Sequence, residues 1–113
     1  MASIDKKVAW LHGKVKSPPF SKKARIEAGF LIRRLQEGEK LSLPQSRPMP
    51  SIGVRWHELR ITDEDKIWRI FYRIDSDLIL IAEVFSKKTS KTPKEVIENC
   101  KNRLKKFDDL FGT

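Results

Sequence analysis

The chain has 113 residues, which is near the commonest size of one domain, and we predict a single domain over residues 1–113. Its 24 Lys and Arg against 15 Asp and Glu give a net charge of +9, which favours a polyanionic partner such as nucleic acid. The sequence contains no long apolar span and no lipidation signal, and its start lacks the apolar core of a signal peptide. We therefore expect a cytoplasmic protein with no membrane partner.

Cysteine and histidine are too few for a disulfide or a zinc site. Cys100 is the only cysteine and His12 and His57 are the only histidines, so neither an intrachain disulfide nor a Cys/His zinc pattern can form. The one acidic run, residues 63–65, lies between two strand-like segments, and we interpret it as a solvated turn rather than a Mg²⁺ site. We expect neither a metal nor a cofactor.

The first predicted helix follows the short apolar-rich run of residues 7–12. Ser17 fits the N-cap, and the two prolines after it fit the first turn of a helix. Apolar residues then recur at helical spacing, at Phe20, Ala24, Ala28, Leu31 and Leu35. Gly38 is a natural end for the helix. Residues 41–53 contain three prolines, and we predict that they form a connecting loop.

Three β-rich segments come next, over residues 54–61, 67–74 and 78–85, and the short polar turns between them predict an antiparallel meander. A final helix is indicated by Thr92, which fits the N-cap, and by Pro93, which fits the first helical position. Its apolar stripe includes Cys100, which we interpret as a buried small hydrophobe. The prediction is an α+β fold in which helices pack on one antiparallel sheet.

Strand alternation brings several charged residues to one face of this sheet. Glu58 and Arg60 share a face of the first β-rich segment, and Arg69 and Arg73 share a face of the second. One interpretation is a shared arginine surface that binds phosphate. The other is a cross-strand ion-pair ladder between Glu58 and either Arg69 or Arg73, and the spacing alone favours this structural role.

A second basic region follows the third β-rich segment. Residues 85–93 bring three lysines and several hydroxyls to the N-terminus of the last helix, where backbone N–H groups and the helix dipole favour a phosphate. Lys22 and Lys23 on the first helix would add to the positive field that attracts a nucleic-acid backbone. Taken alone, however, a Lys-rich loop is more often a solvated surface.

These segments together resemble a known family. Glu58-Leu59-Arg60, then Trp68-Arg69-Ile70-Phe71-Tyr72 and then residues 85–93 are similar, in order and spacing, to successive blocks of the phage-related HigB-like branch of the RelE/ParE toxins. The resemblance extends over about residues 7–107. It implies a RelE-like compact microbial ribonuclease fold, with helices on a curved antiparallel sheet and a C-terminal helix, and a cognate helix-turn-helix antitoxin.

The resemblance also implies a reaction, the cleavage of mRNA on the ribosome by attack of a 2′-hydroxyl on the scissile phosphate. Arg60 and Arg69 match the family's arginine positions and suit phosphate clamps, because a guanidinium stays protonated. We assign proton transfer to one of Lys87, Lys88 and Lys91, whose neighbouring charges would ease the loss of a proton. The remaining candidate RNA contacts are Arg73, Lys22, Lys23 and Thr89.

His57 is the alternative proton shuttle, because imidazole titrates near neutrality and His57 directly precedes the Glu-Leu-Arg block. Strand alternation puts it on the face opposite Arg60, which favours a structural role. Three other functions stay open: a ParE-like toxin that inhibits DNA gyrase, a non-enzymatic basic RNA-binding module, and a structural phage protein. The lysine-rich segment argues against the first, whereas composition does not separate the second from an enzyme.

Overall fold

Five strands and two helices make up the part of the chain that the structure describes. The structure is a computed structural model and describes residues 6–11, 20–64, 66–87 and 94–111. In chain order the elements are β1 (Lys7–Trp10), α1 (Lys22–Gln36), β2 (Ser46–Pro48), β3 (Trp56–Asp63), β4 (Lys66–Ile74), β5 (Leu78–Lys87) and α2 (Lys94–Phe111). The predicted α+β class is confirmed. Neither of the two described helices has the length and apolar character needed to cross a membrane.

The strands form one mixed sheet in the order β1-β5-β4-β3-β2. The strands β3, β4 and β5 pair antiparallel through short turns, as their spacing predicts. The prediction of a wholly antiparallel sheet is wrong, because β1 pairs in parallel with β5, with Val8 opposite Ile79 and Trp10 opposite Ile81. The outer edge of β5 would otherwise leave backbone groups unpaired, and the short run before α1 supplies their partners.

The helix α1 packs on one face of the sheet through the predicted apolar stripe. The stripe's buried residues are Ala24, Ala28, Leu31 and Leu35. The helix begins later than predicted, with Ser21 rather than Ser17 as its N-cap. The hydroxyl of Ser21 accepts a hydrogen bond from the amide of Ala24. Gly38 follows the helix with a φ of +94°, a left-handed conformation that glycine adopts without steric cost, so the predicted helix end is confirmed.

Residues 41–53 do more than connect α1 to β3. Within them, Ser46–Pro48 forms β2 on the outer edge of β3, which the prediction of a loop missed. Pro48 is tolerated there because an edge strand does not need every backbone N–H for pairing. Met49 and Ile52 then enter an apolar cluster that also holds Trp56, Phe71 and Cys100. The segment therefore helps to cover the second face of the sheet.

The helix α2 packs on the face of the sheet opposite α1. Cys100 is fully buried in its apolar stripe, as predicted. Burial raises the pKa of the Cys100 thiol to about 12, and the negative charge of Glu83 adds to the rise. The predicted cap residues Thr92 and Pro93 lie outside the described residues.

The acidic turn between β3 and β4 is not fully solvated. Asp63 is buried at the end of β3, whereas Glu64 is exposed. The carboxylate of Asp63 accepts hydrogen bonds from the backbone amide of Ser21 at 2.9 Å and from Nε1 of Trp68 at 3.0 Å. The hydrogen bonds from Ser21 are the main reason why the pKa of Asp63 is lowered. The prediction of a solvated turn is therefore wrong for Asp63, which ties the start of α1 to the sheet.

Candidate functional site

A buried glutamate with three arginines lies on the sheet face that carries α2. The side chain of Glu58 is fully buried. Its Oε1 accepts a hydrogen bond from Nη1 of Arg69 at 2.7 Å, and its Oε2 accepts one from Nη2 of Arg47 at 3.1 Å. Nε of Arg60 lies 3.7 Å from Oε1. We call these four residues the Glu58 cluster.

Strand register brings the Glu58 cluster together. In the β3–β4 pair, Arg60 lies opposite Arg69, which makes Arg69 a diagonal neighbour of Glu58. On the other side of β3, β2 places Arg47 directly opposite Glu58. The predicted ion pair between Glu58 and Arg69 is confirmed, but it is buried rather than part of an exposed ladder.

The Glu58 cluster carries three positive charges against one negative charge. A buried carboxylate needs close cationic partners, and here it holds three guanidinium groups together that would otherwise repel one another. The side chains of Arg47 and Arg60 stay 36% and 32% exposed, while that of Arg69 is 2% exposed. The result is a fixed patch of excess positive charge that suits a phosphate. Among the described residues, no group of three His, Cys, Asp or Glu is arranged to hold a metal ion.

No sequence pattern marks Arg47 as a site residue. This residue lies in the proline-rich segment predicted as a loop, where neither spacing nor composition marks a site. The one local signal is its position directly before Pro48, because a residue before proline favours an extended backbone. That signal predicts a possible strand and says nothing about which charge the strand will meet.

Arg69 and Arg73 do not present their guanidinium groups to solvent, as direct phosphate contact would require. Arg69 is buried against Glu58. Arg73 is 5% exposed, and its guanidinium donates to Asp75 at 2.8 Å and to Asp108 at 3.1 Å. Burial lowers the pKa of Arg73, but hydrogen bonds to Asp108 and Asp75 outweigh this effect and raise it overall. Because carboxylates already occupy both guanidinium groups, the predicted phosphate contacts of Arg69 and Arg73 do not fit this arrangement.

The predicted lysines are placed only in part. Lys22 and Lys23 are exposed in the first turn of α1. Lys87 ends β5, and its backbone lies opposite Ile67, which is two residues along β4 from Arg69, the partner of Arg60. The other residues predicted from the lysine-rich segment lie outside the described residues: Lys88, Thr89 and Lys91.

His57 lies on the sheet face opposite the Glu58 cluster, as strand alternation predicts. Its ring stacks on that of Tyr72 with the centroids 5.5 Å apart. Its Nδ1 is buried and has no hydrogen-bond partner among the described residues. Burial raises the pKa of Tyr72, whose hydroxyl is hydrogen-bonded to Ser46. This packing favours a structural role for His57 over a role as proton shuttle.

A cleft of about 290 Å³ opens beside Arg60. The strand β2 begins with Ser46, opposite Leu59, and just before it the carbonyl of Gln45 accepts a hydrogen bond from the amide of Arg60 at 2.8 Å. Beyond Arg60, β2 no longer covers the edge of β3. The residues that line the cleft at this edge are Glu27, Pro44, Gln45, Arg60, Thr62 and Ile67. The cleft therefore makes one arginine of the Glu58 cluster reachable from the side of the sheet.

The fold and the site together define the class of this protein. It is a small basic protein with a mixed sheet, and arginines beside a buried glutamate at the accessible edge of that sheet attract anions. Comparison with protein families identifies its relatives: the model for phage derived protein Gp49-like (DUF891) matches residues 19–105. The protein belongs to this family. The family is part of the RelE-like toxin superfamily, whose members are paired with a cognate antitoxin, so the predicted resemblance is confirmed at that level. No curated protein matched the chain.

Proposed function

We propose that the protein is the toxin of a type II toxin–antitoxin system, of the HigB-like branch, and that it cleaves mRNA on the ribosome. The observation that carries the proposal is the Glu58 cluster, which holds excess positive charge at a partly exposed site in a chain of the Gp49-like family. The net charge of +9 supports association with ribosomal and messenger RNA. The second proposed partner is a helix-turn-helix antitoxin.

The proposed reaction begins when a 2′-hydroxyl of the mRNA attacks the adjacent phosphorus. A new P–O bond forms while the bond to the 5′-oxygen of the next nucleotide breaks, which leaves a 2′,3′-cyclic phosphate. Negative charge develops on the phosphate oxygens in the transition state, and Arg60 and Arg47 supply donors for that charge. Glu58 accepts hydrogen bonds from the guanidinium of Arg47 and lies 3.7 Å from Nε of Arg60, so this positive charge is in place before the reaction and little reorganisation is needed.

Arg69 has a different proposed role from Arg60. It is buried, so it acts on the reaction through Glu58 and not by contact with RNA. Its hydrogen bond to Oε1 fixes the carboxylate beside which Arg60 lies. Arg69 is thus a positioning residue in this proposal.

Proton transfer is proposed for the lysine-rich segment. The reaction needs a base for the 2′-hydroxyl and an acid for the leaving 5′-oxygen, and arginine is unsuited to be the base. The backbone of Lys87 lies opposite Ile67, a residue that lines the cleft beside Arg60. Lys88 and Lys91 are the other candidates. On this proposal the chemical step needs no metal ion.

Cleavage of a defined mRNA on purified translating ribosomes tests the proposal. We expect the wild-type protein to cut only ribosome-bound mRNA. Arg60→Ala should lower the single-turnover rate by about 10²–10³ while the variant still folds and binds ribosomes. The matched control is Arg33→Ala, which removes an exposed arginine of α1 that forms an ion pair with Glu37. The control should cut at the wild-type rate.

Other outcomes would contradict the proposal in different ways. Equal rates for the wild type and Arg60→Ala would remove Arg60 from the reaction. Inhibition of DNA supercoiling without mRNA cleavage would identify a ParE-like gyrase inhibitor. RNA binding that weakens in proportion to lost positive charge, with no cleavage by any variant, would identify a basic RNA-binding module.

A further inference from the structure

The open cleft beside Arg60 is lined by four polar side chains and two apolar ones. Its volume of about 290 Å³ lies at the small end of the range for ligand pockets. Pro44 and Ile67 supply the apolar surface. The polar groups come from α1, from the segment before β2 and from the end of β3, and they are Glu27, Gln45, Arg60 and Thr62. This lining offers hydrogen-bonding groups together with a small apolar surface, which suits a small, flat, polar group.

The polar side chains of the cleft are available to a ligand. Among the described residues, no hydrogen bond or ion pair engages the side chains of Glu27, Gln45 and Thr62. Glu27 is the only acidic residue of α1, which carries five basic ones. By contrast, Glu37 and Glu39 after the helix are paired with arginines. An unpaired carboxylate therefore lies in the cleft, within an otherwise basic region.

Charge limits what the cleft can hold. The carboxylate of Glu27 would repel a phosphate inside the cleft, so a phosphate group is favoured outside it, at the partly exposed side chain of Arg60. A group that donates N–H bonds is favoured within the cleft, because an ionised carboxylate only accepts hydrogen bonds. A flat group can also pack against Pro44 and Ile67. In an RNA substrate, the group with these properties is an unstacked nucleobase.

Guanine matches Glu27 better than the other RNA bases do. Its Watson–Crick edge presents two adjacent donors, N1–H and N2–H, which a carboxylate accepts as a pair. Adenine, cytosine and uracil present a single donor group beside acceptors that repel a carboxylate. We propose that the cleft recognises a guanine next to the scissile phosphate and that Glu27 determines this specificity. The inference rests on the proposed function for its substrate class, and it adds the base that is selected.

Mononucleotide binding followed by ¹H–¹⁵N NMR tests the specificity without requiring catalysis. We expect GMP to shift the amides of Gln45, Thr62 and Ile67. IMP lacks only the 2-amino group and should bind about tenfold more weakly. Glu27→Gln should bring the two dissociation constants together, because a neutral amide loses the charge-assisted pair. Glu37→Gln removes the same charge from the C-cap of α1 and should leave the tenfold difference unchanged.

Equal binding of GMP and IMP by the wild-type protein would overturn the inference. Shifts confined to other surfaces, or no saturable binding, would overturn it as well. The comparison uses two ligands on the wild-type chain, so it decides the question even if Glu27→Gln does not fold. Cleavage-site mapping separates this inference from the proposed function. If the protein distinguishes GMP from IMP but cuts no mRNA, guanine recognition by the cleft stands and the proposed mRNA cleavage is wrong. If the wild type and Glu27→Gln both cut mRNA without regard to guanine, the proposed cleavage stands and guanine recognition is wrong.

Discussion

Removing the carboxylate of Glu58 should destabilise the protein strongly, because Arg69 would stay buried without it. Glu58 and Arg69 are both buried, and a hydrogen bond of 2.7 Å joins them. Loss of one partner from a buried ion pair typically costs about 3–5 kcal/mol. Since a folded domain is stable by only about 5–15 kcal/mol, Glu58→Ala should lose a large part of the free energy of unfolding.

A double-mutant cycle separates the Glu58–Arg69 pair from other effects of the substitutions. Arg69→Met leaves Glu58 with two arginine partners, so we expect a smaller loss than in Glu58→Ala. The double variant removes both buried charges and should be more stable than the sum of the single losses predicts, with a coupling of about 1–3 kcal/mol. A double variant that is more stable than the sum predicts is the result expected when each single substitution leaves one charge buried without its partner.

Urea unfolding followed by tryptophan fluorescence measures these losses, because Trp56 and Trp68 are buried in the two apolar clusters. The control is Glu39→Ala, which breaks an exposed ion pair with Arg34 and should cost less than about 1 kcal/mol. A Glu58→Ala variant as stable as this control would refute the argument from burial. So would a double variant whose loss is simply additive.

The titration of Asp63, the reactivity of Cys100 and the lysine-rich segment allow three further predictions. Because hydrogen bonds from Ser21 hold the pKa of Asp63 low, its ionised form adds stability that is present above about pH 4 and is lost as the pH falls through the lowered pKa. In Asp63→Asn, the free energy of unfolding measured in urea should therefore fall less steeply as the pH is lowered below about 4. An unchanged fall would contradict this prediction. Burial raises the pKa of Cys100 to about 12, so a disulfide reagent at neutral pH should label Cys100 only in denaturant, and fast labelling of the native protein would disprove its burial. Of the single Arg substitutions at Lys87, Lys88 and Lys91, one should abolish single-turnover cleavage although the positive charge is kept. If all three variants are active with unchanged pH profiles, lysine does not transfer the proton and His57 becomes the remaining candidate.

Local sequence patterns determined the long elements of this fold. The helical spacing of the apolar residues in α1 and the alternation in β3, β4 and β5 act within a few residues, so both are visible without a structure. The N-cap of α1 was not decided in this way, since the sequence pattern predicted Ser17 and the structure has Ser21. Asp63 is 42 residues from Ser21 and accepts its amide hydrogen bond, so the hairpin contributes to that choice. The short strands β1 and β2 likewise depend on the edges of β5 and β3 for their partners.

The sequence likewise predicted one part of the candidate site, and the tertiary structure decided the rest. Alternation predicted that Glu58 and Arg60 share a face of one strand and that Arg69 and Arg73 share a face of the next, but only the strand register showed that Glu58 binds Arg69. Arg73 was equivalent to Arg69 in the sequence, yet Asp108, 35 residues further on, pairs with it. Arg47 joins the cluster only through β2. Side-chain direction follows from local backbone geometry, whereas the neutralisation or exposure of a charge depends on elements far apart in the chain, which meet only in the folded protein.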